Sequence, residues 1–229
     1  MSTSPPRNPA WAALTGPQAH FAEQKGQVLR YPVDVSPFQA VPDQPDEQVW
    51  QDLADLVGPG VSAWVVGGIG LPAPEGWTVE NELPGVQMDG SAVDAAPDEE
   101  AVELTEADVP EMLDLTARTK PGPFLPKTIA LGRYLGIRRD GVLVAMAGER
   151  MRPPGWTEIS AVCTDPAYQG HGLAGRLVLA VAAGIRERGD QPMLHAAGTN
   201  TGAIRLYEKL GFRLVREVVF GAYRTPERR

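Results

Sequence analysis

The run Gln169-Gly170-His171-Gly172-Leu173-Ala174-Gly175-Arg176 is the stretch of the chain best suited to hold an anion. Glycine takes positive φ without a Cβ penalty and lets the backbone come close to a ligand. Where such a loop opens a helix, the first backbone N–H groups have no partner within the helix, and the helix dipole favours negative charge beside them. The first expectation is therefore a phosphate-bearing ligand held between Gln169 and Arg176. A second glycine cluster, Gly67-Gly68-Ile69-Gly70, does not make a dinucleotide loop. It lacks a third glycine in register, Pro72 and Pro74 follow it, and no helical pattern comes next. Cys163 is the sole cysteine and has no histidine near it in sequence, so it reads as a small buried hydrophobe rather than a nucleophile. His20, His171 and His195 are the only histidines, and with one cysteine they give no metal-ligand spacing.

The elements that would position this loop read clearly from Ala101 onward. Val102–Leu104 is a short strand, and Thr105 with Asp108 forms a helix start before the apolar positions Val109, Met112, Leu113 and Leu115. Residues 129–139 hold a strand, Asp140-Gly141 is a hairpin turn, and residues 142–151 return. Trp156–Cys163 is a strand aimed at the glycine loop. Leu173, Leu177, Val181 and Ile185 share one face of a long helix that stops at Gly189. Met193–Ala197 is a strand, Asn200–Leu210 a helix closed by Gly211, and Phe212–Tyr223 a hairpin-like pair of strands. This order fits an α/β fold with a mixed β-sheet flanked by helices. Before residue 101 the pattern is sparser. Residues 1–9 read as a disordered tail, 11–25 as an interrupted helix, 28–41 as an edge strand, 46–57 as a helix, 61–66 as a buried strand and 77–88 as another. Gly90–Glu100 is small, acidic and patternless, and reads as a linker between an N-terminal α/β region (1–100) and a second domain (101–229).

Charge divides the 229 residues at the same place. The net charge of −8 is the balance of −12 over residues 1–100 and +4 over the remainder. An acidic half argues against nucleic acid as a main partner. The single cysteine fits a reducing compartment, the start of the chain has no apolar signal region, and no apolar run approaches bilayer length. The expectation is a cytoplasmic protein with no membrane association.

Gln169-Gly170-His171-Gly172-Leu173-Ala174 resembles the Q/R-x-x-G-x-G/A loop of the GNAT superfamily of acetyl-CoA-dependent N-acetyltransferases. Asn200, Ala203 and Leu206-Tyr207-Glu208-Lys209-Leu210-Gly211-Phe212 resemble that family's second signature, N-x-x-A-x-x-x-Y-x-x-x-G-F. The resemblance covers about 101–225. It implies a GNAT-like sheet and acetyl-CoA as co-substrate, with no metal. It implies that N–H groups from Gln169, Gly170, His171, Gly172, Leu173, Ala174 and Gly175 hold the coenzyme A pyrophosphate. It further implies that a bulged strand, Ala161 to Thr164 with Val162, Cys163 and Thr164, offers free backbone groups to the pantetheine arm. The Val162 N–H would then polarise the thioester carbonyl. Asn200 would contact the cofactor, cap its helix, or do both. Tyr207 would protonate the leaving thiolate, the alternative being a packed aromatic, and Glu158 would be the general base, with Glu149 in reserve.

Residues 1–100 read either as a degenerate copy of the same fold or as a separate cap over the acceptor pocket. Either places acidic surface beside the active half and favours a cationic acceptor. The expected reaction is direct transfer to a primary amine on a small molecule or peptide, by a monomer or homodimer. The rival reading is a non-catalytic acyl-CoA sensor or binding module.

Overall fold

The longest apolar stripe in the sequence makes the most deeply packed helix. Leu173, Leu177, Val178, Val181, Ala182 and Ile185 of α4 (Leu173–Glu187) are all buried against the sheet in the computed structural model, which describes residues 4–227. Each large apolar side chain removed from water in this way contributes roughly 1.5–3 kcal/mol. In chain order the other elements are α1 (Pro9–Leu14), β1 (Glu23–Lys25), β2 (Val28–Arg30), β3 (Phe38–Ala40), α2 (Gln48–Val57), β4 (Ser62–Val66), β5 (Thr78–Asp89), β6 (Val102–Leu104), α3 (Val109–Thr119), β7 (Tyr134–Arg139), β8 (Val142–Glu149), β9 (Trp156–Thr164), β10 (Gln191–Ala197), α5 (Thr201–Lys209) and β11 (Arg213–Arg224). No helix among the described residues is long and apolar enough to cross a membrane.

The eleven strands of the described residues form one mixed sheet, in the order β1-β2-β3-β4-β11-β5-β10-β9-β8-β7-β6. Its two wings repeat one plan. β7, β8 and β9 run antiparallel, α4 crosses over, and β10 returns parallel to β9. Likewise β1, β2 and β3 run antiparallel, α2 crosses over, and β4 returns parallel to β3. The strand that closes each wing is exchanged. β5, from the first wing, pairs with β10 of the second, while β11, from the second, pairs with β4 of the first. β5 and β11 pair with each other along most of their length.

This topology revises several expectations. The expected terminal hairpin over 212–223 is one long strand, β11, whose antiparallel partner β5 lies more than a hundred residues upstream. Residues 28–41 are two short strands rather than one, and 11–25 break at Gly16-Pro17 into α1, a 3₁₀ turn and β1. The tail expected over 1–9 falls partly outside the described residues at 1–3. From there on it is docked: the Pro5 and Pro6 carbonyls accept hydrogen bonds from Arg216 and Gln87, and Pro9 begins α1. Nor is 90–100 a free linker. Val93 is buried in the α4 core, and Arg176 grips Asp98 through Nε (2.6 Å) and an NH2 group (2.8 Å). The boundary near residue 100 therefore separates two stretches of sequence and not two sheets.

Candidate active site

The site is built where β9 and β10 part. The two strands pair in parallel from Gln191↔Trp156 only as far as Leu194↔Ile159. Beyond that point Ser160–Thr164 and His195–Ala197 diverge. A bulge drives the divergence: the β8–β9 register slips between Met146 and Gly148, and Ala161 takes φ +52°. A non-glycine residue there is uncommon and is held only by its surroundings. The bulge expected before the glycine loop is thus present, one residue ahead of Val162.

The loop itself folds as the glycines require. Gly170 has φ +82° and Gly172 φ +75°, and a Cβ added at either would meet nothing within 4 Å. Open space, rather than crowding within the chain, lies over both positions. Gly172 caps α4 without a side-chain bond, and the first helical bond is Arg176 N–H to the Gly172 carbonyl at 3.1 Å. The N–H groups of Leu173, Ala174 and Gly175 therefore have no acceptor within the helix.

Two cavities meet at this junction. One, of about 580 Å³, is lined by the loop and by Val162, Cys163, Thr164, Asn200 and Tyr207. Every residue expected to hold the cofactor lines it except His171, which is exposed with Nδ1 3.2 Å from the Tyr168 carbonyl oxygen. The other, of about 340 Å³, opens on the far side and is lined by residues of both wings, including Phe38, Trp64, Leu83 and Phe220. Lys120, Pro121, Val162, Asn200, Ala203 and Tyr207 line both.

The junction residues have defined states. Tyr207 is 7% exposed, its ring edge-on to Phe212 at 5.9 Å, and burial pushes its hydroxyl pKa up to about 12. Asn200 Oδ1 accepts from the Ala203 N–H at 3.1 Å, so the cap is made and its amide nitrogen remains for a ligand. Cys163 is buried, and desolvation pushes its thiol up to about 11, the state of an inert packed thiol. The Thr164 hydroxyl is buried without a hydrogen-bond partner. A polar atom orphaned in the wall of a cavity fits a ligand that supplies the missing bond. Together with the free loop N–H groups, it suits the amide and phosphate chemistry of coenzyme A.

Glu158 does not stand where a general base must. Its side chain is fully buried and lines neither cavity. Its two oxygens accept from Arg150 Nε at 2.8 Å and NH2 at 2.7 Å, and Oε1 lies 2.7 Å from His195 Nδ1. Burial alone would raise its pKa. Attraction and hydrogen bonds from Arg150, joined by His195, outweigh burial and hold the carboxyl well below the usual carboxylate range. Such a group is a weak proton acceptor. Glu149, the reserve, is also buried, bonded to Arg188 at 2.5 Å, and lines neither cavity. Sequence reasoning missed His195 and Arg150, which do line the second cavity; a lone histidine and an arginine at a strand end carry no motif. No group of three or more His, Cys, Asp or Glu able to hold a metal occurs among the described residues.

A mixed sheet whose central parallel strands splay above a helix-opening glycine loop, with Tyr207 lining both of the cavities that meet there, defines a class of α/β protein with an anion-binding loop between two ligand cavities. Residues 134–220 match the family model of FR47-like proteins. The crystal structure of a GNAT-family protein from Novosphingobium aromaticivorans superposes with a TM-score of 0.87 at 38% identity, covering 97% of this chain and 98% of the other. The N-alpha-acetyltransferase RimI of Mycobacterium tuberculosis is 33% identical over 128 residues, 49% of this chain and 77% of its own. A mycothiol acetyltransferase of Thermomonospora curvata is 31% identical over 163 residues, 68% of this chain and 50% of its own. The chain belongs to the GNAT family of acetyltransferases. It spans half or less of the length of the mycothiol acetyltransferases it matches first.

Proposed function

We propose that the protein is an acetyl-CoA-dependent N-acetyltransferase that moves the acetyl group directly to a primary amine in a ternary complex. The observation that carries this reading is the meeting of two cavities at Val162 and Tyr207. The glycine loop serves one cavity and residues from both wings serve the other, so two substrates can be held on opposite sides of a single point. Holding both in one frame removes the entropy of their encounter from the barrier.

Each residue then has a defined task. The N–H groups of Gly170 to Gly175 and the dipole of α4 take the pyrophosphate. The unpaired edge of β9 at Val162 and Thr164 holds the pantetheine arm, and the Val162 N–H draws charge onto the thioester oxygen as the amine attacks. Tyr207 donates its proton to the departing thiolate. Arg150 and Glu158 form a fixed ion pair behind the second cavity, and Glu158 takes no proton. The amine loses its proton to solvent through the open second cavity before it attacks.

The test is release of free coenzyme A from acetyl-CoA over a panel of polyamines, amino acids, aminoglycosides and peptide N-termini. Release with at least one amine supports the reading. Tight acetyl-CoA binding with no release for any amine overturns it in favour of a non-catalytic binding module.

A further inference from the structure

The second cavity contains no carboxylate in its lining. Its titratable groups are Lys120, Arg150, His195 and Tyr207. The acidic surface expected to attract a cationic acceptor therefore supplies no carboxylate to this lining, which carries Lys120 and Arg150 instead.

Arg150 shows which chemistry the cavity takes. Nε and one NH2 group are spent on Glu158, which leaves the other terminal nitrogen with no hydrogen-bond partner among the described residues. The side chain is only 9% exposed and lies over the Phe38 ring, 4.9 Å from its centroid. A guanidinium this buried with an unspent donor toward a cavity is completed by an anionic or strongly accepting ligand. Glu158 neutralises it from behind only. Lys120, fixed at the end of α3 with φ +50°, has no ion-pair partner among the described residues and adds a second positive charge at the rim. The orientation of His195 adds no negative charge. Gln87 Oε1 accepts from Arg216 at 2.7 Å, so its amide nitrogen faces His195 Nε2 at 3.1 Å, and the imidazole carries its proton on Nδ1 toward Glu158. The remaining wall is Phe38, Trp64, Leu83 and Phe220.

We propose that the acceptor is an amine carrying a carboxylate near its amino group on an apolar or aromatic body, as in a hydrophobic α-amino acid. Arg150 and Lys120 take the carboxylate, and the aromatic wall takes the body. A plain alkylammonium would add positive charge beside Lys120 and the unspent nitrogen of Arg150 with no carboxylate in the lining to meet it, whereas a zwitterion brings its own carboxylate to those two groups. This rests on the acetyltransferase reading for the identity of the cavity as the acceptor site.

The experiment compares matched pairs: phenylalanine with phenethylamine, and leucine with 3-methylbutylamine. Coenzyme A release is measured as kcat/KM per unprotonated amine. The carboxylated member is expected to be preferred by about tenfold or more, the scale of one charge-assisted hydrogen bond. Lys120→Met and Arg150→Lys are each expected to shrink that ratio; a ratio within one variant cancels any change in cofactor affinity shared by both amines. Equal or reversed preference overturns the proposal. A second measurement does not need turnover. Calorimetric titration of the coenzyme A-loaded protein with N-acetylphenylalanine and N-acetylphenethylamine is expected to favour the acid, and equal affinities overturn the proposal. Preferential binding of the acid without release from any amine would overturn the transferase reading while upholding the carboxylate site.

Discussion

Oε1 of Glu158 lies 2.7 Å from Nδ1 of His195, across the point where β9 and β10 part, and the same carboxylate holds Arg150 by two hydrogen bonds. The glutamate is thus the internal counter-ion of Arg150, which lines the second cavity. Glu158→Gln leaves a buried guanidinium unpaired, at a cost of about 3–5 kcal/mol, read by chemical unfolding. Folding lowers this carboxyl's pKa. Its contribution to stability is therefore present above the unfolded value of about 4.3 and is lost as pH falls from there toward the folded value. The native protein should lose stability on acidification more steeply than the Gln variant. Per folded molecule, the variant should keep the rise of kcat/KM with pH that follows the amine. Loss of that rise would restore Glu158 as the base.

Tyr207 sits at the contact of both cavities with its hydroxyl pushed up to about 12 by burial. It stays protonated across the working range, so the pH profile should show one ascending limb set by the acceptor amine and no descending limb below about pH 11. Tyr207→Phe should lower kcat by about 10²–10⁴-fold with a much smaller change in the KM for acetyl-CoA. A fall confined to KM would make the tyrosine a packing residue.

Gly172 takes φ +75° at the mouth of α4 with open space over it. Gly172→Ala should cost about 1–2 kcal/mol in backbone strain and also weaken acetyl-CoA binding, because the added methyl stands where the phosphates approach. Gly189, at the other end of the helix, has φ +86° and equally open space. Gly189→Ala should show similar strain and unchanged acetyl-CoA affinity by calorimetry. Equal losses of affinity in the two variants would remove the phosphate role from the loop.

What the sequence made legible follows from how local each signal is. The α4 stripe, the Asp140-Gly141 turn and the Gln169–Gly175 loop are set within one or two helical turns of chain, and the residues that the family resemblance pointed to for the cofactor, His171 excepted, line the loop cavity. The exchange of β5 and β11 joins residues more than a hundred positions apart, and neither strand carries a mark of its partner. The state of Glu158 failed to show for the same reason. Spacing put it on the right strand, but its role depends on Arg150 and His195, brought to it by pairing between strands. The acidic bias of residues 1–100 counts charge over the whole surface and does not describe the second cavity, whose lining has Lys120 and Arg150 and no carboxylate.

The exchange makes its own prediction about residues 101–229, the part that carries both family signatures. β5 lies between β10 and β11, pairing with Met193–Ala197 on one side and with Arg213–Arg224 on the other. Its Gln87 and Met88 are fully buried, and Gln87 fixes the orientation of His195. Removing residues 1–100 would strip both neighbours and leave two long unpaired edges beside the splay. The fragment 101–229 alone should aggregate or lack a cooperative thermal transition, and co-expression with 1–100 should restore a soluble complex that binds acetyl-CoA. A monomeric 101–229 fragment with a sharp transition and full acetyl-CoA affinity would show that the exchanged strand is dispensable to the site.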